Sequence, residues 1–188
     1  MARRLLSNPD FGPEQIRFGA EVHGKPFVSD PPQAKQPFNI AHTDGLVLCG
    51  LCDGPHRLIG VDVEKLCRRT DPELAERYFS KPEVEFLRTK PDQKSVQDTF
   101  LRIWTLKESF IKAIGTGLQT PLADFAFSDI DSDTPKITML KPELESNLTW
   151  NFFSISPKPG FVGAVAVATE ASDPNIKLRL SDFGELID

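Results

Sequence analysis

Two short stretches carry charged side chains at spacings that could do chemistry. In Gly60-Val-Asp-Val-Glu-Lys65, Asp62 and Glu64 alternate with Val61 and Val63. Successive side chains on a strand point to opposite faces, so the two acids share one face and the valines take the other. The roots of the acids then lie roughly 7 Å apart, from a rise of ~3.3 Å per residue. Like charges so placed repel unless a cation lies between them. Such oxygens suit Mg²⁺, which takes one or two carboxylates and completes its shell with waters and phosphate oxygens. The same pattern also fits the solvated edge of a half-buried strand, and the pair alone does not separate the two readings.

The second stretch, Trp104 to Leu118, reads WTLKESFIKAIGTGL. At helical spacing Phe100, Ile103, Trp104, Phe110, Ile111 and Ile114 form one apolar stripe. Lys107 falls near its middle, Glu108 at its edge, and Lys112 one turn further along that edge. A charge in a core is costly unless it is paired or faces a wet cleft. A surface Glu108–Lys112 ion pair accounts for two of the three residues but not for Lys107. The helix stops at Gly115-Thr-Gly117, where backbone amides can approach a ligand closely.

His42 lies in Phe38-Asn-Ile-Ala-His-Thr-Asp-Gly45, at the mouth of an expected hairpin. Gly24-Lys25-Pro26 is a turn bearing a cation. No GxSxG motif is present, so a serine hydrolase has little support. The three cysteines, Cys49, Cys52 and Cys67, are an odd number without a repeating framework, which suits a reducing, cytoplasmic setting. Cys49 and Cys52 sit three apart in an apolar run, where a strand sends them to opposite sides.

Around these residues the elements read as α+β. Prolines 31, 32 and 37 mark a loop. Leu46–Cys52 and Leu58–Glu64 read as a hairpin closed by Asp53-Gly-Pro-His56. Asp71-Pro starts a helix, and Ser80-Lys-Pro-Glu83 is a capping box that opens a second. A third runs from about Ser95 to Ile114 and ends at Gly115. Strands follow at Phe125–Phe127, Ile137–Leu140, Trp150–Ile155 and Phe161–Thr169, with a short strand and helix over Ile176–Ile187. Phe161–Thr169 is apolar almost throughout and is expected at the centre of a sheet, covered on both faces. The helices are expected to cover one face and an absent segment, a second chain or a reorganised N-terminus the other, so the chain is expected to expose a large apolar patch near Ile40 and Leu46–Leu51, or to bury it in a dimer.

The 188 residues are 39% hydrophobic and 26% charged with a net charge of -5, an ordinary balance for one globular domain and unlike a general nucleic-acid binder. No apolar run approaches the ~20 residues of a membrane helix, and MARRLLSNPD lacks the apolar segment of a secretory signal.

Taken in order, HGKPF, FNIAHTDG, GVDVEKL and WTLKESFIKAIGTGL resemble the 4′-phosphopantetheinyl transferases of the surfactin-synthetase-activating class, from about Ile16 to the C-terminus. That resemblance implies two similar α+β halves related by a pseudo-twofold, with coenzyme A between them. It implies transfer of 4′-phosphopantetheine from coenzyme A to a serine of an acyl or peptidyl carrier protein, with release of 3′,5′-ADP. Asp62, Glu64 and Glu108 are expected to hold Mg²⁺ on the coenzyme A diphosphate, and Lys112 to meet the transferred phosphate. Lys25, Pro26 and His42 are expected to contact the nucleotide and diphosphate. Lys107 is expected to support ligand binding by pairing with a carboxylate or phosphate. Asp62, Glu108, Lys112 and His42 form the expected catalytic set, with Glu108 or a water it orients taking the serine proton.

Two departures stand out. The family's Ser-His-Ser is Ala41-His42-Thr43 here, which removes one hydroxyl. The family also carries on the order of fifty further residues upstream, of whose long helix Ala2–Leu6 resembles the tail. The expected organisation is therefore a reduced or truncated first half, residues 1–57, followed by a C-terminal half, 58–188, with the metal site. Three alternatives stay open: a Mg²⁺-dependent phosphohydrolase, a module that binds coenzyme A or a carrier protein without turnover, and a structural domain with surface ion pairs.

Overall fold

The structure, a computed structural model, describes residues 1–7, 10–52, 58–71, 73–170 and 176–186. At its centre is an antiparallel sheet of three strands in the order β5 (Leu58–Lys65), β9 (Phe161–Glu170), β8 (Leu148–Ile155). β9 is the middle strand, and Val162 through Thr169 are all buried, as its unbroken apolar sequence requires.

One face of the sheet packs on α4 (Gln93–Ile114), whose N-cap Asp92 accepts the Ser95 N–H and whose C-cap Gly115 takes a left-handed φ of 74°. The contact is close because β5 carries Gly60 opposite the helix. A Cβ there would lie 2.0 Å from the Ser109 carbonyl oxygen and 2.4 Å from the Ala113 nitrogen. Both are backbone atoms, so the helix itself would have to move. Gly60→Ala is expected to cost about 1–3 kcal/mol, lowering the melting temperature by roughly 2–12 °C. An unchanged melting temperature would show that the helix can give way.

On its far side α4 meets α3 (Lys81–Arg88) and the hairpin β6–β7 (Phe125–Ser128, Lys136–Met139). Phe110 packs against Phe125 at 4.7 Å and Trp150 at 4.9 Å between ring centroids. The helix is thus buried on most of its circumference, including Thr99, Thr105, Lys107 and Ser109.

The other face of the sheet is covered by the hairpin of β3 (Phe38–Thr43) and β4 (Leu46–Leu51), which places Ala41, Leu46 and Leu48 against Val61, Val63, Val165 and Val167. This corrects two expectations. β4 pairs with β3 through the tight turn at Asp44-Gly45, where Gly45 has φ 84°, and β5 pairs with β9 instead. The second cover of β9 comes from that hairpin, an element of the N-terminal part. Ile40 and Val47 remain exposed, Val47 by 53%. The expected turn at 53–56 lies outside the described residues.

Beyond the hairpin, β1 (Arg17–Ala20), β2 (Pro26–Asp30) and α1 (Ala2–Leu6) close a second small core around Ile16, Val28 and Phe38. Cys49 packs toward that core and Cys52 toward the core of the central sheet, so the two thiols go to different sides. α2 (Leu74–Tyr78) starts later than expected, at N-cap Glu73, while Asp71 accepts the Glu73 N–H. Residues 176–186 contain only a single 3-10 turn, Gly184–Leu186, in place of the expected strand and helix. No helix among the described residues is long and apolar enough to cross a membrane.

A carboxylate groove between a strand and the central helix

The alternation along β5 separates its residues as the sequence requires. Ile59, Val61 and Val63 pack toward the β3–β4 hairpin, while Gly60 and Asp62 face α4 and Glu64 follows on their side. Asp62 is 7% exposed and Glu64 8%. Because Gly60 lets the helix lie against the strand, Lys112 reaches Asp62, and its Nζ donates to Oδ1 at 2.7 Å. The other Asp62 oxygen, Oδ2, is buried with no hydrogen-bond partner. Glu64 accepts from Arg68 and, at 3.5 Å, from the Thr43 hydroxyl.

Burial pushes the Asp62 carboxyl up to about 7, against the pull of Lys112, and Glu108 and Glu64 add to the rise. Burial also raises Glu108, with Lys112 opposing and Glu64 reinforcing. The three acids therefore feel one another across the groove. They do not close on a point as placed: among the described residues, no group of three or more His, Cys, Asp or Glu side chains is arranged to hold a metal ion. Lys112 and Arg68 occupy Asp62 and Glu64 in its stead. The donors nonetheless fit a hard divalent cation. All are carboxylate oxygens, and Asp62 keeps one buried oxygen unused.

Beside the groove opens a cavity of about 300 Å³ lined by His23, Gly24, Lys25, Pro26, Asn39, Ile40, Glu108, Ile111, Lys112, Gly115 and Gly117. It brings Lys25 and Pro26 to Glu108 and Lys112. Lys25 is not free there. Its Nζ donates to the Ala113 carbonyl at 2.5 Å, one of the last carbonyls of α4, and burial lowers its pKa. His42 does not enter this lining. It is exposed on β3, two residues beyond Ile40.

Lys107 is placed elsewhere, and this corrects its expected ligand role. It has no exposed surface, and its Nζ donates to Glu83 Oε2 at 2.8 Å and to the carbonyls of Leu122 at 2.7 Å and Phe125 at 2.8 Å. Burial pushes its ammonium down to about 8 despite the pull of Glu83. The carboxylate it meets is thus structural and lies away from the cleft. Glu83 is equally buried and also accepts from Ser80 N, Ser80 Oγ and Phe127 N.

Three contributors escape a reading of the sequence. Asn39 is buried and accepts the Val61 N–H at 2.9 Å, tying β3 to β5 one residue before Asp62. An Asn inside an apolar strand is its only signal. Gly60 could have been read as a point of close backbone approach. His23 lines the cavity from the turn that opens the HGKPF stretch, where only Lys25 and Pro26 were expected to matter.

Residues 58–168 match the model of the 4'-phosphopantetheinyl transferase superfamily, and the chain belongs to that superfamily. Among its relatives, 4'-phosphopantetheinyl transferase HetI of a Nostoc species is 34% identical over 159 residues, 83% of this chain and 62% of that protein. 4'-Phosphopantetheinyl transferase Sfp of Bacillus subtilis is 41% identical over 111 residues, 59% of this chain and 46% of that protein. The human L-aminoadipate-semialdehyde dehydrogenase-phosphopantetheinyl transferase is 33% identical over 167 residues, 81% of this chain and 53% of that protein. The chain thus spans about half the length of the curated relatives it matches.

Proposed function

We propose that this protein transfers the 4′-phosphopantetheine group of coenzyme A to a serine hydroxyl of an acyl or peptidyl carrier protein, releasing 3′,5′-ADP. The observation that carries this reading is the carboxylate groove, with the Lys112–Asp62 pair and an unused buried Asp62 oxygen, adjoining a cavity lined by Lys25, Pro26 and Lys112. Asp62, Glu64 and Glu108 would hold Mg²⁺, which when bound neutralises diphosphate charge. Lys112 holds a phosphate oxygen beside Asp62, and Lys25 and Pro26 form the wall on which the nucleotide end rests. We assign His42 to the rim of the ligand, beyond the cavity itself. In the transfer, the serine oxygen bonds to the pantetheine-side phosphorus while the bond from that phosphorus to the bridging diphosphate oxygen breaks. The serine proton passes to Glu108 or to a water it orients, and the electron pair leaves with 3′,5′-ADP. Positioning and charge neutralisation account for most of the catalysis in chemistry of this type. We also place the boundary between the N-terminal part and the half bearing the carboxylates at 57/58, just before β5.

Calorimetry with coenzyme A, with and without Mg²⁺, tests the site. Lys25→Ala and His42→Ala are each expected to weaken coenzyme A by about tenfold, the loss of a charge-assisted hydrogen bond. Unchanged affinity in both would put the ligand elsewhere.

The groove also sets a pH dependence. The folded Asp62 carboxyl lies near 7, above its unfolded value of 3.8. Its contribution to stability is therefore fully present below the unfolded value and is lost as the pH rises through about 7. A divalent cation needs the ionised carboxylate, so below 7 it must displace a proton. The rise in melting temperature on adding Mg²⁺ is expected to be larger at pH 8 than at pH 5.5. An equal rise at both would remove Asp62 from the cation site.

A further inference from the structure

We propose that Arg68 is a positioning residue of the carboxylate groove: it holds Glu64 while no divalent cation is present and releases it when one arrives, and so sets the concentration at which the groove fills. The proposal rests on the cation reading of Asp62, Glu64 and Glu108. Glu64 is 8% exposed, and a carboxylate so placed needs a counter-charge. Arg68 supplies it, since its Nη1 donates to Glu64 Oε1. The Thr43 hydroxyl reaches the other oxygen only at 3.5 Å. Arg68 is therefore the main partner of one of the acids a cation would use, and its positive charge opposes that cation.

The backbone around Arg68 is tied down, and the side chain is the part able to move. Leu66 N donates to the Gly160 carbonyl and Arg68 N to the Lys65 carbonyl, both at 2.9 Å. The Arg68 carbonyl accepts from Gln97 Nε2 on α4 at 2.8 Å. The chain leaving β5 is thus fixed to the entry of β9 and to α4. The Arg68 side chain is half exposed, so a change of rotamer takes its guanidinium from Glu64 to water without moving the main chain. Its neighbour Arg69 is exposed and makes no ion pair among the described residues.

The charges of the groove give this movement a direction. Asp62, Glu64 and Glu108 face the two bases Lys112 and Arg68, which leaves one negative charge in excess. A divalent cation carries the groove past neutrality, so a base must leave or an anion must enter. Lys112 is held on Asp62, with its side chain 29% exposed. Arg68, at the rim, is the base that leaves more readily.

Electron paramagnetic resonance of free Mn²⁺, an ion that takes the same oxygen ligands, reads cation uptake by the whole chain without turnover. With no coenzyme A present, Arg68→Ala is expected to bind Mn²⁺ roughly three- to tenfold more tightly than the wild-type chain, the scale of one half-exposed charge set against a doubly charged ion. Arg68→Gln, which keeps a donor and drops the charge, should match it. Arg68→Lys and Arg69→Ala should stay within about twofold of wild type. Adding Asp62→Ala to Arg68→Ala should abolish the gain, which places it in the groove; a gain that survives overturns the proposal. Uptake unchanged in Arg68→Ala, or raised equally in Arg69→Ala, shows that the pair does not oppose the cation. Weaker uptake in Arg68→Ala shows that the arginine orients Glu64 for the cation, the reverse of what is proposed, and leaves the cation reading standing. If neither the wild-type chain nor Arg68→Ala takes up Mn²⁺, with or without coenzyme A, the cation reading itself falls, and the role of Arg68 with it.

Discussion

Asp62→Ala is expected to lower phosphopantetheine transfer by on the order of 10²-fold or more, while the protein stays folded. The rate follows from the position of Asp62. It is the acid that meets Lys112, and it is the one with a buried oxygen left over for a cation. Removing a group that organises charge at a transferring phosphate costs on this scale. The stability follows from the same orphaned oxygen. A buried polar atom without a partner costs free energy, and Lys112, with its side chain 29% exposed, can turn toward water once Asp62 is gone. Asp62→Asn, which keeps the shape and removes the charge, is expected to melt at or above the wild-type temperature and yet be as impaired in transfer. Near-normal turnover in either variant would reject the role of Asp62. A collapse of the fold in Asp62→Asn would show that the acid is structural.

Lys107→Met is expected to do the reverse, with a large loss of stability and little effect on ligand affinity in the molecules that remain folded. Lys107 spends its three protons on Glu83 and on the carbonyls of Leu122 and Phe125. Without it the Glu83 carboxyl has lost its cation at a site with no exposure. Breaking a buried pair from one side typically costs about 3–5 kcal/mol. Adding Glu83→Gln removes the stranded charge and is expected to recover part of the loss, because the capping hydrogen bonds from Ser80 can be kept. Denaturant unfolding of the two single variants and the double reads the coupling. A loss below about 1 kcal/mol in Lys107→Met would contradict the lock, given the usual cost of an uncompensated buried charge. A weakened coenzyme A affinity without a loss of stability would return Lys107 to the ligand.

The contrast between Lys107 and Lys112 shows what a sequence can and cannot tell. Both lie on α4, five residues apart, and each directly follows an apolar residue, Leu106 or Ile111. Their helical positions are legible, since N-cap Asp92, Gly115 and the 3.6-residue period are local signals. Their partners are not. Glu83 lies 24 positions before Lys107 and Asp62 lies 50 before Lys112, and only the packing of α3 and β5 on α4 decides which acid meets which lysine. The capping box at Ser80–Glu83 is legible for the same local reason, but its Glu does a second task that the motif does not announce.

The shared face of Asp62 and Glu64 follows from strand alternation alone, whichever strand β5 pairs with. That pairing was misplaced because the neighbouring apolar run, β4, lies close in sequence, whereas β9 is about 100 residues away. Asp44-Gly45 was the stronger turn signal and decided the true hairpin. Arg68 and Thr43 on Glu64 were out of reach, since each contact depends on how β5 meets its surroundings.

The most direct measurement is the intact mass of apo carrier proteins after incubation with this chain, coenzyme A and Mg²⁺. The predicted result is a gain of one phosphopantetheine on the carrier serine, with one 3′,5′-ADP released per carrier modified, both products absent under chelation and both formed on the order of 10²-fold more slowly with Asp62→Ala. No gain on any carrier of the panel would contradict the assignment of transferase chemistry to the Asp62–Lys112 groove. Release of phosphate from coenzyme A without a carrier would instead assign that groove to hydrolysis.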